Sequence, residues 1–176
     1  KSVTVIENST GLHELKKIIP ANGLKTDMGI LSIVFMEDSD MWVKEIPNTY
    51  GEILANWKTF PHIFPTLNGR KFIGGGTEEP GKGKYYLYST VHENDPASIN
   101  GLEKRKIAFG YYLRHRINGD NDLYARIAPA IGYMLEKYGN WLDGTRPIME
   151  YYRSSKSMDC LMPVKMGEKD SFAPNN

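Results

Sequence analysis

The spacing of the apolar residues changes near Ser98, and this change most constrains the fold. Before Ser98, short runs of β-branched and aromatic residues are typical of strands. Ile30 to Met36 and Met41 to Ile46 are two such runs, and the acidic turn between them indicates a β-hairpin. After Ser98, apolar residues recur at helical spacing. The sequence therefore predicts a single α+β domain, with a small antiparallel sheet and hairpins in the N-terminal half and a helical cluster in the C-terminal half.

Local signals assign the individual elements. Thr49 and Glu52 form a capping-box pair that begins one helix. Leu12 and Leu15 lie at helical spacing in an earlier helix that Pro20 ends. The other predicted elements are a strand at Ser2 to Ile6, a strand at Lys84 to Val91, helices at Gly101 to Ile117 and Asp120 to Tyr138, and a short helix at Arg146 to Arg153.

The length and composition agree with one folded domain. The chain has 176 residues, of which 40% are hydrophobic, and a net charge of +1, which excludes a disordered or collagen-like chain. No apolar run is long enough for a transmembrane segment. The single cysteine, Cys160, excludes an intrachain disulfide and favours a reducing compartment, cytoplasmic or nuclear. Because apolar periodicity is lost after residue 153, residues 1–153 are predicted to form the domain and residues 154–176 a flexible C-terminal arm.

The pattern of residue types from Gly76 to Lys84 resembles that of a phosphate-binding loop. Such a loop needs a helix directly after it and a Ser or Thr hydroxyl that holds magnesium. Here the next residues, Tyr85 to Val91, are strand-like, and Gly83 occupies the hydroxyl position. The segment is therefore predicted to be a glycine-rich hairpin loop, in which Lys82 and Lys84 could add contacts to an anion.

A positively charged stripe is predicted on the helix at 101–117. At about 100° per residue, five of its side chains fall on one arc beside the apolar face: Lys104, Arg105, Tyr112, His115 and Arg116. Cations with a tyrosine among them offer phosphate contacts and a stacking surface. The alternative is an ordinary solvated charged face.

No motif for a catalytic nucleophile, a metal site or a cofactor is present in the sequence. We therefore predict a non-enzymatic binding or structural protein of the virion matrix or nucleocapsid type, which engages RNA or another anionic surface and is a candidate for self-assembly as a homo-oligomer. A small enzyme with a pocket near His92, Glu93 and Asp95 is one alternative. A protein-interaction module that uses tyrosine and tryptophan side chains is the other.

Overall fold

A computed structural model describes residues 11–167 and residue 170, so the strand predicted at Ser2 to Ile6 lies outside the described residues. The helices are α1 (Leu12–Ile18), α2 (Tyr50–Thr59) and α3 (Leu123–Tyr138). The strands are β1 (Leu24–Lys25), β2 (Gly29–Met36), β3 (Ser39–Pro47), β4 (Phe72–Gly76), β5 (Lys84–Thr90), β6 (Glu103–Ile107), β7 (Gly110–Asn118), β8 (Ile148–Tyr152) and β9 (Ser157–Pro163). Short 3₁₀ turns follow α2 and α3, at Phe60–Ile63 and Gly139–Trp141.

All the strands belong to one antiparallel sheet, in the order β1-β2-β7-β9-β8-β4-β5-β3-β6. The prediction of a single α+β domain is confirmed, but the sheet is larger than expected. The hairpin predicted around the glycine-rich segment is also confirmed, because β4 and β5 pair directly and Gly76 lies opposite Tyr85. The side chain of Asn48 donates to carbonyl groups of the connecting loop, at Glu78, Glu79 and Lys82.

The sheet curls strongly, and the link between β2 and β3 shows why. Both strands were predicted, but they do not pair with each other as a hairpin: five strands lie between them in the sheet. In a flat sheet they would be about 29 Å apart. Only Glu37 and Asp38 connect them, and such a link spans at most about 11 Å. The sheet therefore closes round on one face, where apolar side chains of β2 and β3 share a core with Tyr112 and Leu161.

The helices all pack on the outer face of this curled sheet. Helices α1 and α3 cover β2, β7 and β9, with Leu15, Met134 and Cys160 among the fully buried residues. Helix α2 and the 3₁₀ turn after it cover β3 and β5 through Trp57 and Phe60. The strands β8 and β4 run between these two apolar clusters. The fold therefore leaves a seam at the middle of the sheet, between α2 and α3.

The helix predicted at 101–117 is wrong, because this segment forms β6 and β7. Leu113 and Ile117 are spaced by four, an even number that keeps them on one side of a strand as well as of a helix, whereas Phe109 precedes β7 and packs in the core of the inner face. Gly110, the first residue of β7, adopts a φ of 93°, a left-handed conformation that interrupts a helix. From Leu113 onward the residues of β7 alternate in burial, with Leu113, His115 and Ile117 buried on the outer face under α1 and α3.

Two further C-terminal predictions need correction. The short helix at Arg146 to Arg153 is instead strand β8. The expected flexible arm begins with β9, which pairs with both β7 and β8 in the interior of the sheet. Met158 to Met162 are all buried, since both faces of β9 are covered. Part of the segment after residue 167 lies outside the described residues.

Candidate functional site

The predicted cationic stripe does not exist, because the structure distributes its members over two strands. Tyr112 and His115 are only 2% and 0% exposed, so neither can reach a ligand from solvent. His115 lies between the Thr26 hydroxyl, 2.7 Å from Nε2, and the Ala130 carbonyl oxygen, 3.2 Å from Nδ1. Burial lowers the pKa of this imidazole, so it serves the core as a neutral ring.

The cations of the prediction are also separated. Lys104 lies over the ring of Trp42 on the outer face of β6, 5.0 Å from its centroid. Arg105 lies over the ring of Tyr86, at 5.7 Å. The other cations are ion-paired. In the hairpin loop the ammonium group of Lys82 pairs with Glu79 at 2.9 Å, and at the start of β5 that of Lys84 lies 3.9 Å from Glu45. On β7 the guanidinium of Arg116 pairs with Asp159 at 2.8 Å.

The residues named for an enzyme pocket do not form one. The Asp95 carboxylate is 1% exposed and receives hydrogen bonds from the Arg70 guanidinium, from the Trp42 indole and from the backbone of His92. These donors hold the pKa of Asp95 well below its usual range. Glu93 is exposed. Asp95 therefore anchors a turn against the sheet.

A different acidic residue, Glu150, lies at the seam between the two helical layers. It occupies the middle of β8, opposite Gly74 of β4 and Cys160 of β9. The hydroxyl groups of Tyr85 and Tyr152 both donate to Oε2 of Glu150, each at 3.1 Å. Among the described residues, no hydrogen bond reaches Oε1 and no ion pair includes Glu150. This half-buried carboxylate thus has phenol donors but no positive partner.

Aromatic side chains form the walls around this carboxylate. The indole Nε1 of Trp57, on α2, donates to the Tyr85 hydroxyl at 3.0 Å. The Trp57 ring also packs against Tyr152, with centroids 4.7 Å apart. Tyr124, on α3, extends this wall 6.4 Å from Tyr152 and is 60% exposed. We name these four aromatic residues together with Glu150 the Glu150 recess.

Gly74 provides the space for the Glu150 recess. A Cβ at Gly74 would point to the same side of the sheet as Glu150, since the two residues are direct partners. It would meet the Tyr85 hydroxyl at 1.9 Å and the Trp57 ring at 2.9 Å. Only glycine at this position lets both aromatic groups lie against the sheet.

The electrostatics of the Glu150 recess follow from the burial of its ionisable groups. Burial raises the pKa of Glu150, and the two phenol hydrogen bonds oppose that rise only in part. Burial, followed by the nearby Glu150 charge, also raises the pKa of both Tyr85 and Tyr152, so these phenols stay protonated as donors. A cation entering the recess would stabilise the ionised form of Glu150, because opposite charges attract more strongly where little water screens them.

A cavity of about 260 Å³ is lined in part by Tyr124 and Tyr152, two residues of the Glu150 recess. Its apolar side is formed by Tyr124, Tyr152, Ile127 and Met158, and its polar side includes Asp120 and Ser155. It lies between the beginning of α3 and the β8–β9 turn. The cavity therefore gives access to aromatic surface of Tyr124 and Tyr152.

Sequence reasoning missed the Glu150 recess, although one signal for it was present. Ile148 to Tyr152 reads IMEYY, a short apolar run with a single carboxylate at its centre. Read as a strand, the run places Glu150 and Tyr152 on one face. The other walls come from residues 57, 85 and 124, whose approach depends on strand order and could not be read from spacing.

No protein-family model and no curated protein matches this chain. Solved structures share its fold at low sequence identity. EcmrR in a complex with DNA is 11% identical, with a TM-score of 0.59, covering 94% of this chain and 68% of that chain. SAV2435 bound to tetraphenylphosphonium is 13% identical, with a TM-score of 0.53, covering 77% and 93%. An integron cassette protein of Vibrio cholerae is 14% identical, with a TM-score of 0.52, covering 77% and 95%.

These likenesses correct the functional prediction. The proteins that share the fold include EcmrR and an integron cassette protein, and none of these three is a viral matrix or nucleocapsid protein. The prediction of an RNA-binding structural protein of the virion type is therefore wrong, as the absence of the basic helix also indicates.

None of the helices within residues 11–167 has the length and apolar character that crossing a bilayer requires.

Proposed function

We propose that this domain binds a small organic cation that carries aromatic or other apolar groups, and that Glu150 receives its charge. The observation that carries the proposal is a half-buried carboxylate that has two phenol donors and no positive partner among the described residues. A buried charge is ordinarily paired, so an unpaired one marks a place where a ligand supplies the partner.

The surrounding residues suit the rest of such a ligand. Trp57, Tyr124 and Tyr152 offer ring faces next to the carboxylate. Aromatic faces attract cations and also bury apolar groups. SAV2435, which shares the fold, was solved with tetraphenylphosphonium, a cation enclosed by four phenyl groups. This likeness supports the ligand class, for which this chain has its own carboxylate, Glu150, and its own aromatic residues.

Nucleic-acid binding is not part of the proposal, because the side chains predicted for it are buried, stacked or ion-paired. Self-association as a homo-oligomer stays a prediction.

The test compares two ions of the same shape and opposite charge, tetraphenylphosphonium and tetraphenylborate, by titration calorimetry at pH 7.5. We expect the protein to bind the cation and to bind the anion at least tenfold more weakly. In Glu150→Gln the affinity for the cation should fall by about 30-fold or more, which is about 2 kcal/mol or more. The amide preserves the shape of the carboxylate but removes its Coulomb attraction, which is about 3 kcal/mol for charges about 6 Å apart at an effective dielectric constant of about 20.

Glu45→Gln is the matched control. Glu45 is also a strand residue that accepts a hydrogen bond from a tyrosine, Tyr86, at 3.0 Å, but it is exposed and lies away from the Glu150 recess. Its substitution should leave the affinity for the cation unchanged. Equal affinities for the two ions, or an unchanged affinity in Glu150→Gln, would refute the proposed function.

A further inference from the structure

The inner face of the curled sheet, on which none of the described helices packs, holds an arginine that forms no ion pair with another described residue. Arg114 of β7 projects on this face beside Leu161 of β9 and opposite Ser32 of β2. Its Nε is buried and has no hydrogen-bond partner in the described part of the chain. None of the ion pairs among residues 11–167 includes it. Buried guanidinium nitrogens are normally satisfied, so this orphaned donor requires an explanation.

The charges of two more arginines, Arg116 and Arg153, act on Arg114. Arg116 is two residues further along the same face, and its Nε and Nη2 form a two-pronged bond with Asp159, at 2.8 and 3.1 Å. Arg153 follows β8, and its Nη1 donates to the Ser157 hydroxyl at 3.0 Å. Burial lowers the pKa of the Arg114 guanidinium, and the charges of Arg116 and Arg153 lower it further. The nearby Asp159 carboxylate opposes these effects and raises the pKa of Arg114. Three arginines and one aspartate thus give the cluster two positive charges in excess.

We infer that this cluster, defined as Arg114, Arg116, Arg153 and Asp159, is a binding site for a phosphate group, with the Arg114 guanidinium as its main donor. A planar guanidinium presents paired N–H groups that match two oxygens of a phosphate. A phosphate monoester carries about two negative charges at pH 7, which balances the excess of the cluster. Asp159 holds Arg116 in place, so the site is ordered before the anion arrives.

This site is separate from the Glu150 recess and rests on different residues. Glu150 and Arg114 project from opposite faces of the sheet, because Glu150 aligns with His115 across β9 and Arg114 is the next residue along β7. A cation on the outer face and a phosphate group on the inner face therefore occupy different surfaces. The two binding tests can succeed or fail independently.

The experiment follows the side-chain Nε–Hε resonances of arginine in ¹⁵N-labelled protein during titration with inorganic phosphate. Chloride keeps the ionic strength constant, and phenyl phosphate and acetate are titrated in parallel. We expect the Arg114 signal to move and saturate with inorganic phosphate at millimolar concentration. Phenyl phosphate should bind at least as tightly if the site takes a monoester, and more weakly if it takes the free ion. Acetate should bind at least tenfold more weakly than either.

Arg114→Gln should weaken phosphate binding at least tenfold, measured by the shift of the Arg116 signal and by the phosphate-dependent rise in melting temperature. Arg114→Lys, which keeps the charge but loses the planar fork, serves if the glutamine variant does not fold, and it should weaken binding at least threefold. Arg126→Gln is the matched control, because Arg126 lies on α3, paired with Asp122, and carries the same charge. The inference is overturned if Arg114 does not respond to phosphate, if acetate binds equally well, or if the Arg114 variants bind like Arg126→Gln.

Discussion

Replacement of Gly74 by alanine places a methyl group where the Glu150 recess holds two aromatic side chains. The new Cβ would lie 1.9 Å from the Tyr85 hydroxyl oxygen, 2.7 Å from Cζ of the same ring and 2.9 Å from the Trp57 ring. Carbon atoms without a bond between them pack at about 3.5–4.0 Å. Tyr85 is 3% exposed and is bonded to both Trp57 and Glu150, so it cannot move away without breaking those bonds.

The cost follows from these contacts. Overpacking of a well-packed site costs about 1–3 kcal/mol. A lost hydrogen bond costs about 0.5–1.5 kcal/mol between neutral groups and about 1.5–3 kcal/mol when one partner is charged. The lower entropy of an unfolded chain with alanine returns about 0.5–1 kcal/mol. We expect Gly74→Ala to reduce the free energy of unfolding by about 2–4 kcal/mol, which lowers the melting temperature of a domain of this size by about 5–15 °C.

Urea denaturation followed by tryptophan fluorescence measures this change, and Gly51→Ala provides the control. Gly51 lies in α2, where an added Cβ meets nothing within 4 Å, so its replacement should stabilise the protein by about 0.5–1 kcal/mol. Adding Tyr85→Phe to Gly74→Ala removes the closest atom, so the double variant should be more stable than the sum of the single changes predicts. A Gly74→Ala protein as stable as the wild type, with unchanged affinity for tetraphenylphosphonium, would refute this account of the recess.

The other predictions concern buried charges and the thiol. Asp95→Asn should reduce the free energy of unfolding by about 3–5 kcal/mol in urea melts, because it leaves the buried Arg70 guanidinium without its carboxylate, whereas Glu79→Gln, at an exposed pair, should change it by less than about 1 kcal/mol. Folding raises the pKa of Glu150, so above pH 4.5 the native state binds more protons than the unfolded state. The contribution of Glu150 to stability should therefore decline as the pH rises from 4.5 toward the raised pKa. Melts of the wild type and Glu150→Gln across pH 4–8 should show this decline only in the wild type. Burial raises the pKa of the Cys160 thiol to about 12, so it should react with a disulfide reagent only at the rate of unfolding, and rapid labelling of native protein would contradict its placement in the core.

Interactions between residues that are close in sequence made part of this fold predictable. Thr49 caps α2 as predicted, with its hydroxyl accepting from the backbone of Glu52 at 3.4 Å. The return bond of the predicted capping box is not formed, because the Thr49 N–H donates to the Pro47 carbonyl and the Glu52 carboxylate accepts from Asn56. The glycine-rich segment was correctly expected to join two strands, because a strand-like run follows it directly. In both cases the decisive partners lie within about ten residues of each other, so that spacing alone contains the information.

The C-terminal half was less predictable because its decisive partners are distant. Strand β9 has no β-branched residue from Ser157 to Pro163, and it is stable only because β7 and β8 bond to it on both sides. The hydrogen bonds of the Glu150 carboxylate also depend on residues that are distant in sequence. Its donors, Tyr85 and Tyr152, meet only after β4 has been inserted between β5 and β8. Strand order thus builds both the centre of the sheet and the site upon it.

The free-energy cost of the unpaired charges links the stability of the domain to the proposed ligand binding. An ionised carboxylate that burial disfavours destabilises the free domain at neutral pH, as does an arginine without a counterion on the inner face. A ligand that supplies the missing charge binds only the folded state. It therefore stabilises the fold by about 2.7 kcal/mol at a concentration one hundred times its Kd. The unpaired charges would thus make the stability of the domain depend on a ligand of opposite charge. At that concentration a 30-fold loss of affinity would reduce the stabilisation by tetraphenylphosphonium to about 0.9 kcal/mol. The gain in melting temperature should therefore be at most about a third as large in Glu150→Gln, although the unliganded variant should be more stable than the wild type.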